Sequence, residues 1–297
     1  MKLRILIYTA ITVLLFSCKK SNVDPVAPPI VQPPIGIASS SLTNVAYGTD
    51  ALQKMDVFLP ANRTTTTTKV MIVIHGGGWS LGDKSDMAAY VEILKARLPD
   101  YAFFNINYRL TSVANSIPFP AQELDVKAVT DFINSKRADY IISDKFVLLG
   151  ASAGAHLALL QAYKYATPKI KAVVDLYGPT DMPDMYTNPA STFVTPTSIA
   201  FIVTGNPFGT PALFPTMYNS SSPINYVSSI SAPTIIFHGG ADSLVRPTQS
   251  TRLITKLAQN SIVNQYVLYP LEGHAYLGAS LNDTFDKTIA FLHTNVQ

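Results

Sequence analysis

Cysteine is nearly missing from this chain: Cys18 is the only one in 297 residues. An intramolecular disulfide is therefore excluded, and so is a metal site built on several thiolates. Charge is scarce as well. Charged residues make up 14% of the chain against 47% hydrophobic, so a large core can be buried. The formal net charge of +3 gives no ground for nucleic acid or an acidic surface as a partner. Part of that charge sits on Lys2 and Arg4 at the extreme N-terminus. No internal repeat, P-loop or Gly-x-Gly-x-x-Gly fingerprint occurs, so the common phosphate-binding loops are not signalled. Histidine is limited to five residues, and candidates for a general base can be taken one at a time.

What the N-terminus does contain is a short basic region, Lys2 and Arg4, followed by an apolar run from Ile5 to Phe16 broken only by Thr9 and Thr12. The run is too short to span a bilayer comfortably and reads as a secretory signal over residues 1–17. The step Leu15-Phe16-Ser17-Cys18 resembles the lipobox of bacterial lipoproteins. That resemblance implies lipidation of Cys18 and an exported protein anchored by its lipid to a membrane of the cell envelope. An ordinary signal peptide with a chance cysteine is the alternative. Residues 18–40 then carry Pro25, Pro28, Pro29, Pro33 and Pro34, which is the composition of an extended tether or of a leader with no further role.

From about residue 41 the pattern becomes regular. Short apolar runs read as strands: Val57–Leu59, Val70–Ile74, Ala102–Ile106, Phe146–Leu149, Lys171–Leu176, Thr234–Phe237 and Gln265–Tyr269. Helical spacing is expected over 120–135, with Pro120 at the first position, Glu123 and Asp125 in the first turn, and Leu124, Ala128, Val129, Phe132 and Ile133 on one face. Further helices are expected over Ala153–Tyr165 and Asn282–Asn295. Apolar strands alternating with amphipathic helices imply a parallel sheet covered on both faces. In such sheets ligands bind beyond the carboxyl ends of the strands. Residues 182–228 break the rhythm. They are rich in Pro, Ser, Thr, Asn and aromatics, and read either as a lid or pocket wall or as a surface insertion.

Gly150-Ala151-Ser152-Ala153-Gly154 fits Gly-x-Ser-x-Gly between an expected strand and an expected helix. That context is what a nucleophile elbow requires: a turn too tight for bulky neighbours, aiming Ser152 at a helix N-terminus. His75-Gly76-Gly77-Gly78-Trp79 directly follows the strand Val70–Ile74. Its glycines can turn backbone N–H groups toward a developing oxyanion, and the expected donors are Gly77, Gly78 and Ala153.

A serine nucleophile needs a base. His75 and His238 end strands beside glycines and read as loop-shaping residues. His156 lies in the helix after Ser152, facing its packing. His293 stands near the end of the last helix, where a cation is favoured anyway. His274, in the loop after Gln265–Tyr269, is the first choice, with His293 second. The acid should lie between Ser152 and His274. Asp175 falls inside a strand, and Glu272 stands too near His274 in the chain. Asp242, just past Thr234–Phe237, is preferred, and Asp181 is the runner-up.

Taken together, His75–Trp79, Asn107-Tyr108-Arg109, Pro118–Asp125, the elbow, Asp242 and His274 resemble the α/β-hydrolase superfamily, in its esterase/lipase branch of hormone-sensitive-lipase-like and feruloyl- or acetyl-xylan-esterase-like enzymes. The resemblance implies a mainly parallel eight-stranded sheet with helices on both faces over 41–297, and hydrolysis of carboxylic esters. Within it Tyr108-Arg109 is taken as structural. The expected substrate is a small-molecule or polysaccharide-linked ester, acetyl or feruloyl esters included, with no metal or organic cofactor. A Pro-rich tether stands where lipid-acting members often carry an N-terminal cap, which argues against a lipid substrate. Activity should fall in acid as the histidine protonates. Two rivals stay open: a serine peptidase or amidase of the same fold, and a hydrolase-fold binding protein without catalysis.

Overall fold

The computed structural model describes residues 36–114 and 117–297. The expected signal segment, Cys18 and the tether up to residue 35 lie outside the described residues. Among the described residues no helix is long and apolar enough to cross a membrane.

The elements follow in the order β1 (Ser40–Ala46), β2 (Lys54–Leu59), β3 (Lys69–Ile74), α1 (Ala88–Arg97), β4 (Tyr101–Ile106), α2 (Ala121–Ser135), α3 (Arg137–Tyr140), β5 (Phe146–Ala151), α4 (Ala153–Lys164), β6 (Ile170–Leu176), α5 (Met182–Thr187), α6 (Pro196–Thr204), α7 (Pro215–Ser220), β7 (Thr234–Gly239), α8 (Thr248–Gln259), β8 (Asn264–Tyr269) and α9 (Gly278–Asn295). The strands form one eight-stranded sheet in the order β1-β2-β4-β3-β5-β6-β7-β8. β2 runs antiparallel to both β1 and β4. The remaining neighbours are parallel. This is the mainly parallel sheet that the alternation of strands and helices implied.

Because side chains alternate across a strand, each central strand feeds two cores. Val70, Ile72 and Ile74 of β3 pack with Val129 and Ile133 of α2, Leu157 of α4 and Leu253 of α8. Met71 and Val73 face the other way, against Val91 and Leu94 of α1 and Phe285 and Leu292 of α9. Burial on both faces explains why these strands read as unbroken apolar runs.

Several expectations change. In α2, Leu124 is 50% exposed, whereas Glu123 and Asp125, read as first-turn charges, are buried. Arg109 meets Asp125 at 2.7 Å and Lys164 meets Glu123 at 2.8 Å, so ion pairing moves the buried face round the helix. Pro120 caps α2 and is not its first residue. β1, α1 and α8 are not among the elements expected from the sequence. β1 is a largely exposed edge strand. α1 buries only Val91 and Leu94, and α8 places the polar Gln249 and Ser250 inside. Residues 182–228 are more helical than their composition suggested, holding α5, α6, α7 and a single 3-10 turn at Pro223–Tyr226.

Leu157→Ala, at a fully buried position, should lower stability by about 2–5 kcal/mol. Leu124→Ala should change it by less than about 0.5 kcal/mol. Urea denaturation of both variants checks the contrast, and equal losses would contradict the assignment of faces.

Candidate active site

The carboxyl ends of β3, β5, β7 and β8 lie along one edge of the sheet, and each leads into a loop carrying a candidate residue. After β5 the chain turns at once into α4. Ser152 holds φ 54° and ψ −118°, a left-handed conformation that costs an L residue about 1–3 kcal/mol unless its surroundings impose it. Here they do. Ser152 N–H donates to Leu176 O at 2.8 Å. A Cβ on Gly154 would come within 2.3 Å of Ile74 O, so α4 can press against the end of β3 only with glycine there.

The loop after β3 brings its glycines to the same place. Gly77 and Gly78 hold φ of +98° and +57°, and a side chain on Gly77 would meet Leu81 O at 2.1 Å. Among the described residues, the N–H groups of Gly77 and Gly78 have no acceptor. Ala153 is the first residue of α4, and its N–H has no acceptor inside its own helix. Tyr108 anchors the loop from below: its hydroxyl donates to the carbonyls of His75 and Gly76, both at 3.1 Å, and its ring stacks on His75 at 4.4 Å. Tyr108, taken from the sequence as structural, thus fixes the glycine loop.

The structure brings Ser152, His274 and Asp242 together. His274 Nε2 lies 2.8 Å from Ser152 Oγ, and Nδ1 lies 2.7 Å from Asp242 Oδ2. Since the carboxylate only accepts, Nδ1 carries the hydrogen and Nε2 offers its lone pair to the serine hydroxyl. The Tyr177 ring packs 4.7 Å from that of His274. Asp242 is held on all sides: Oδ1 accepts the N–H groups of Leu244 and Val245 at 2.8 and 2.9 Å. Burial alone would raise its carboxyl. Hydrogen bonds from His238 and His274, the electrostatic attraction of His274 and the Val245 N–H outweigh it, and hold the group below the usual carboxylate range.

His238, expected from the sequence to shape a loop, instead lies against Asp242. It is buried in β7, with Nε2 3.1 Å from Asp242 Oδ2 and 2.9 Å from Val245 O. Both are acceptors, so Nε2 carries the hydrogen and Nδ1 faces Ser250 Oγ at 2.7 Å. The spacing of four between His238 and Asp242 was the available signal. The other candidates go elsewhere. Asp181 caps α5 and faces Arg252 at 3.3 Å. Asp175 is buried in β6, where burial raises its carboxyl to about 7. Glu272 accepts from Ser280, and His293 is exposed on α9. Among the described residues no cluster of His, Cys, Asp and Glu could hold a metal ion.

A cavity of about 650 Å³ opens over Ser152 and His274. Its walls are largely apolar, with Trp79 and Met87 on one side and Met185, Phe193, Ile199 and Ile202 of the 182–228 segment on the other. That segment therefore supplies a wall. Some of its aromatics pack inward, Tyr218 being fully buried, whereas Phe193 is 81% exposed at the mouth.

His156 is buried as expected, but its ring has two polar partners, Trp79 and Ser221. Burial pushes the imidazole down from the ordinary 6.5 to about 4, against the opposite effect of the Ser221 carbonyl.

Residues 55–257 match the model of the BD-FAE family. Among curated proteins the chain is 26% identical over 246 residues to Esterase LipC of Mycobacterium tuberculosis, covering 78% of this chain and 59% of the relative. It is 28% identical over 224 residues to Esterase LipQ of the same species, covering 70% of this chain and 50% of the relative. It thus spans about half the length of these curated relatives. Over 120 residues, 39% of this chain and 41% of the relative, it is 30% identical to a kynurenine formamidase of Scheffersomyces stipitis. A solved structure, a truncated form of a carbohydrate esterase from gut microbiota, superposes with a TM-score of 0.72 at 24% identity, covering 86% of this chain and 96% of that one. With the sheet order, this likeness shows the α/β-hydrolase fold.

The depressed His156 carries a pH dependence. Below pH 6.5 the unfolded chain takes up a proton that the folded imidazole refuses until about 4. Its contribution to stability is therefore complete above 6.5 and drains as the pH falls toward about 4. His156→Gln should flatten the plot of stability against pH in that window by up to about 1.4 kcal/mol per pH unit, the slope of one proton. Urea unfolding across the window measures this, and an unchanged slope contradicts a neutral, buried imidazole.

Proposed function

Since this chain belongs to the BD-FAE family, we propose that it is a serine hydrolase of carboxylic esters, working through Ser152, His274 and Asp242. The observation that carries this reading is the continuous run from Ser152 Oγ through His274 to Asp242, at 2.8 and 2.7 Å. Its serine end shares the cavity with Gly77 and Gly78, whose N–H groups have no acceptor among the described residues. In this reading His274 Nε2 takes the Ser152 proton as Oγ attacks the ester carbonyl. The oxyanion that forms is met by the N–H groups of Gly77, Gly78 and Ala153, each donor of this kind being worth about 3–4 kcal/mol of barrier. The proton passes from His274 to the leaving alkoxide. Water, deprotonated in turn by His274, releases the acid from the acyl-enzyme. Asp242 stays ionised throughout and holds the imidazole in the tautomer that accepts.

The substrate is an ester with a bulky group, such as a feruloyl ester linked to a polysaccharide, in preference to a simple acetyl ester. The size and apolar walls of the 650 Å³ cavity support this, because an acetyl group would leave most of it unfilled. Lipidation of Cys18 would hold the catalytic domain at a membrane surface of the cell envelope, near such polymers; this rests on the sequence alone. The likeness to a kynurenine formamidase favours a second reading, hydrolysis of an amide at the same site.

Ser152→Ala should lower kcat by about 10⁴-fold or more, and Asp242→Asn by about 10³-fold or more. Assays with acetyl, longer-acyl and feruloyl esters of one alcohol, free and sugar-linked, should give the highest kcat/KM for feruloyl. Wild-type turnover by Ser152→Ala refutes the mechanism. A preference for acetyl refutes the substrate class, and faster cleavage of anilides than of esters favours the amidase.

A further inference from the structure

His156 joins three parts of the molecule that the chain keeps far apart. It lies in the first turn of α4, where its N–H bonds Ser152 O at 3.1 Å. Its Nδ1 lies 3.2 Å from the indole nitrogen of Trp79, in the glycine loop, with the two rings edge to face at 5.0 Å. Its Nε2 lies 2.7 Å from the carbonyl oxygen of Ser221, at the end of α7 in the 182–228 segment.

These contacts admit one form of the ring. An indole N–H only donates and a carbonyl only accepts, so Nδ1 must carry the lone pair and Nε2 the hydrogen. A neutral imidazole in that tautomer satisfies both partners. Trp79 needs such a hold. Its φ is +60°, a region that a bulky L residue leaves unless its surroundings impose it. Its carbonyl accepts the Thr111 N–H at 2.9 Å, and His156 fixes its side chain. Trp79 follows Gly77 and Gly78 directly, so the aim of their N–H groups depends on it.

We propose that His156 is a positioning residue for the oxyanion loop. The Ser221 carbonyl sets its tautomer, its Nδ1 then holds Trp79, and Trp79 holds Gly77 and Gly78 at the angle that receives the oxyanion. Through this side chain the segment walling the cavity is tied to the groups that stabilise the transition state. The role rests on the ester-hydrolase reading above.

The test takes the two bonds apart in the full chain. His156→Asn keeps an acceptor near the position of Nδ1 and loses the donor to Ser221. His156→Gln reaches Ser221 and loses the acceptor for Trp79. Trp79→Phe keeps an aromatic ring, though a smaller one, and removes the indole N–H donor. With p-nitrophenyl butyrate as substrate, H156Q and W79F should each lower kcat about tenfold or more, with KM within about twofold of wild type, since an oxyanion is bound only in the transition state. Both should weaken a trifluoromethyl ketone inhibitor in proportion. H156N should retain most of kcat, and the H156Q/W79F double variant should lose no more than either single one. If H156Q does not fold, W79F and its inhibitor affinity carry the test. Wild-type kcat in W79F, or losses that multiply in the double variant, overturns this role and leaves the hydrolase reading intact. A wild-type chain that turns over no ester overturns both.

Discussion

The left-handed backbone at Ser152 is the constraint on which the rest of the site depends. A serine at φ 54° is unfavourable by itself, and three features hold it there. β5 ends in residues small enough for the turn. β6 supplies an acceptor for the Ser152 N–H. Gly154 lets α4 come against the carbonyls at the end of β3. The same close approach sets the first turn of α4 beside the start of the glycine loop, so the turn that exposes the hydroxyl also brings that loop next to it. Strain stored locally is balanced by packing over the whole sheet.

The charge arrangement follows from burial. Asp242 is shielded from water, and a lone carboxylate there would favour its neutral form. Donors from His238, His274, Leu244 and Val245 reverse that preference and keep it anionic. An anion at that place fixes the hydrogen of His274 on Nδ1 and leaves Nε2 free to accept. His238 does comparable work one step further out, and Ser250 and Val245 settle its own orientation. His156 shows the same logic with two neutral partners.

Legibility in the sequence followed the range of the interactions. Ser152 could be read because a tight strand-to-helix turn demands small residues within two positions of it, and the central strands because burial on both faces makes them uniformly apolar. The choice between Asp242 and Asp181 could not be closed from chain order, since both follow strands at the same edge. Distance separates them: one lies against His274 and the other caps α5. The parts of His156, Tyr108 and His238 were not legible in full, because they rest on contacts between segments distant in the chain or on ring orientation. His156 and Trp79 are 77 positions apart. α1 is hard to read because only Val91 and Leu94 of its apolar residues are buried, whereas α8 does carry a helical apolar face at Leu253, Ile254 and Leu257.

The proposed hydrolysis rests on Ser152 being an activated nucleophile. Treatment of the full chain with a fluorophosphonate probe, followed by intact mass and peptide mapping, tests it without reference to any substrate. A single adduct on the peptide containing Ser152, absent after prior unfolding, is expected of such a nucleophile. An unmodified chain, or an adduct on another residue, would contradict it.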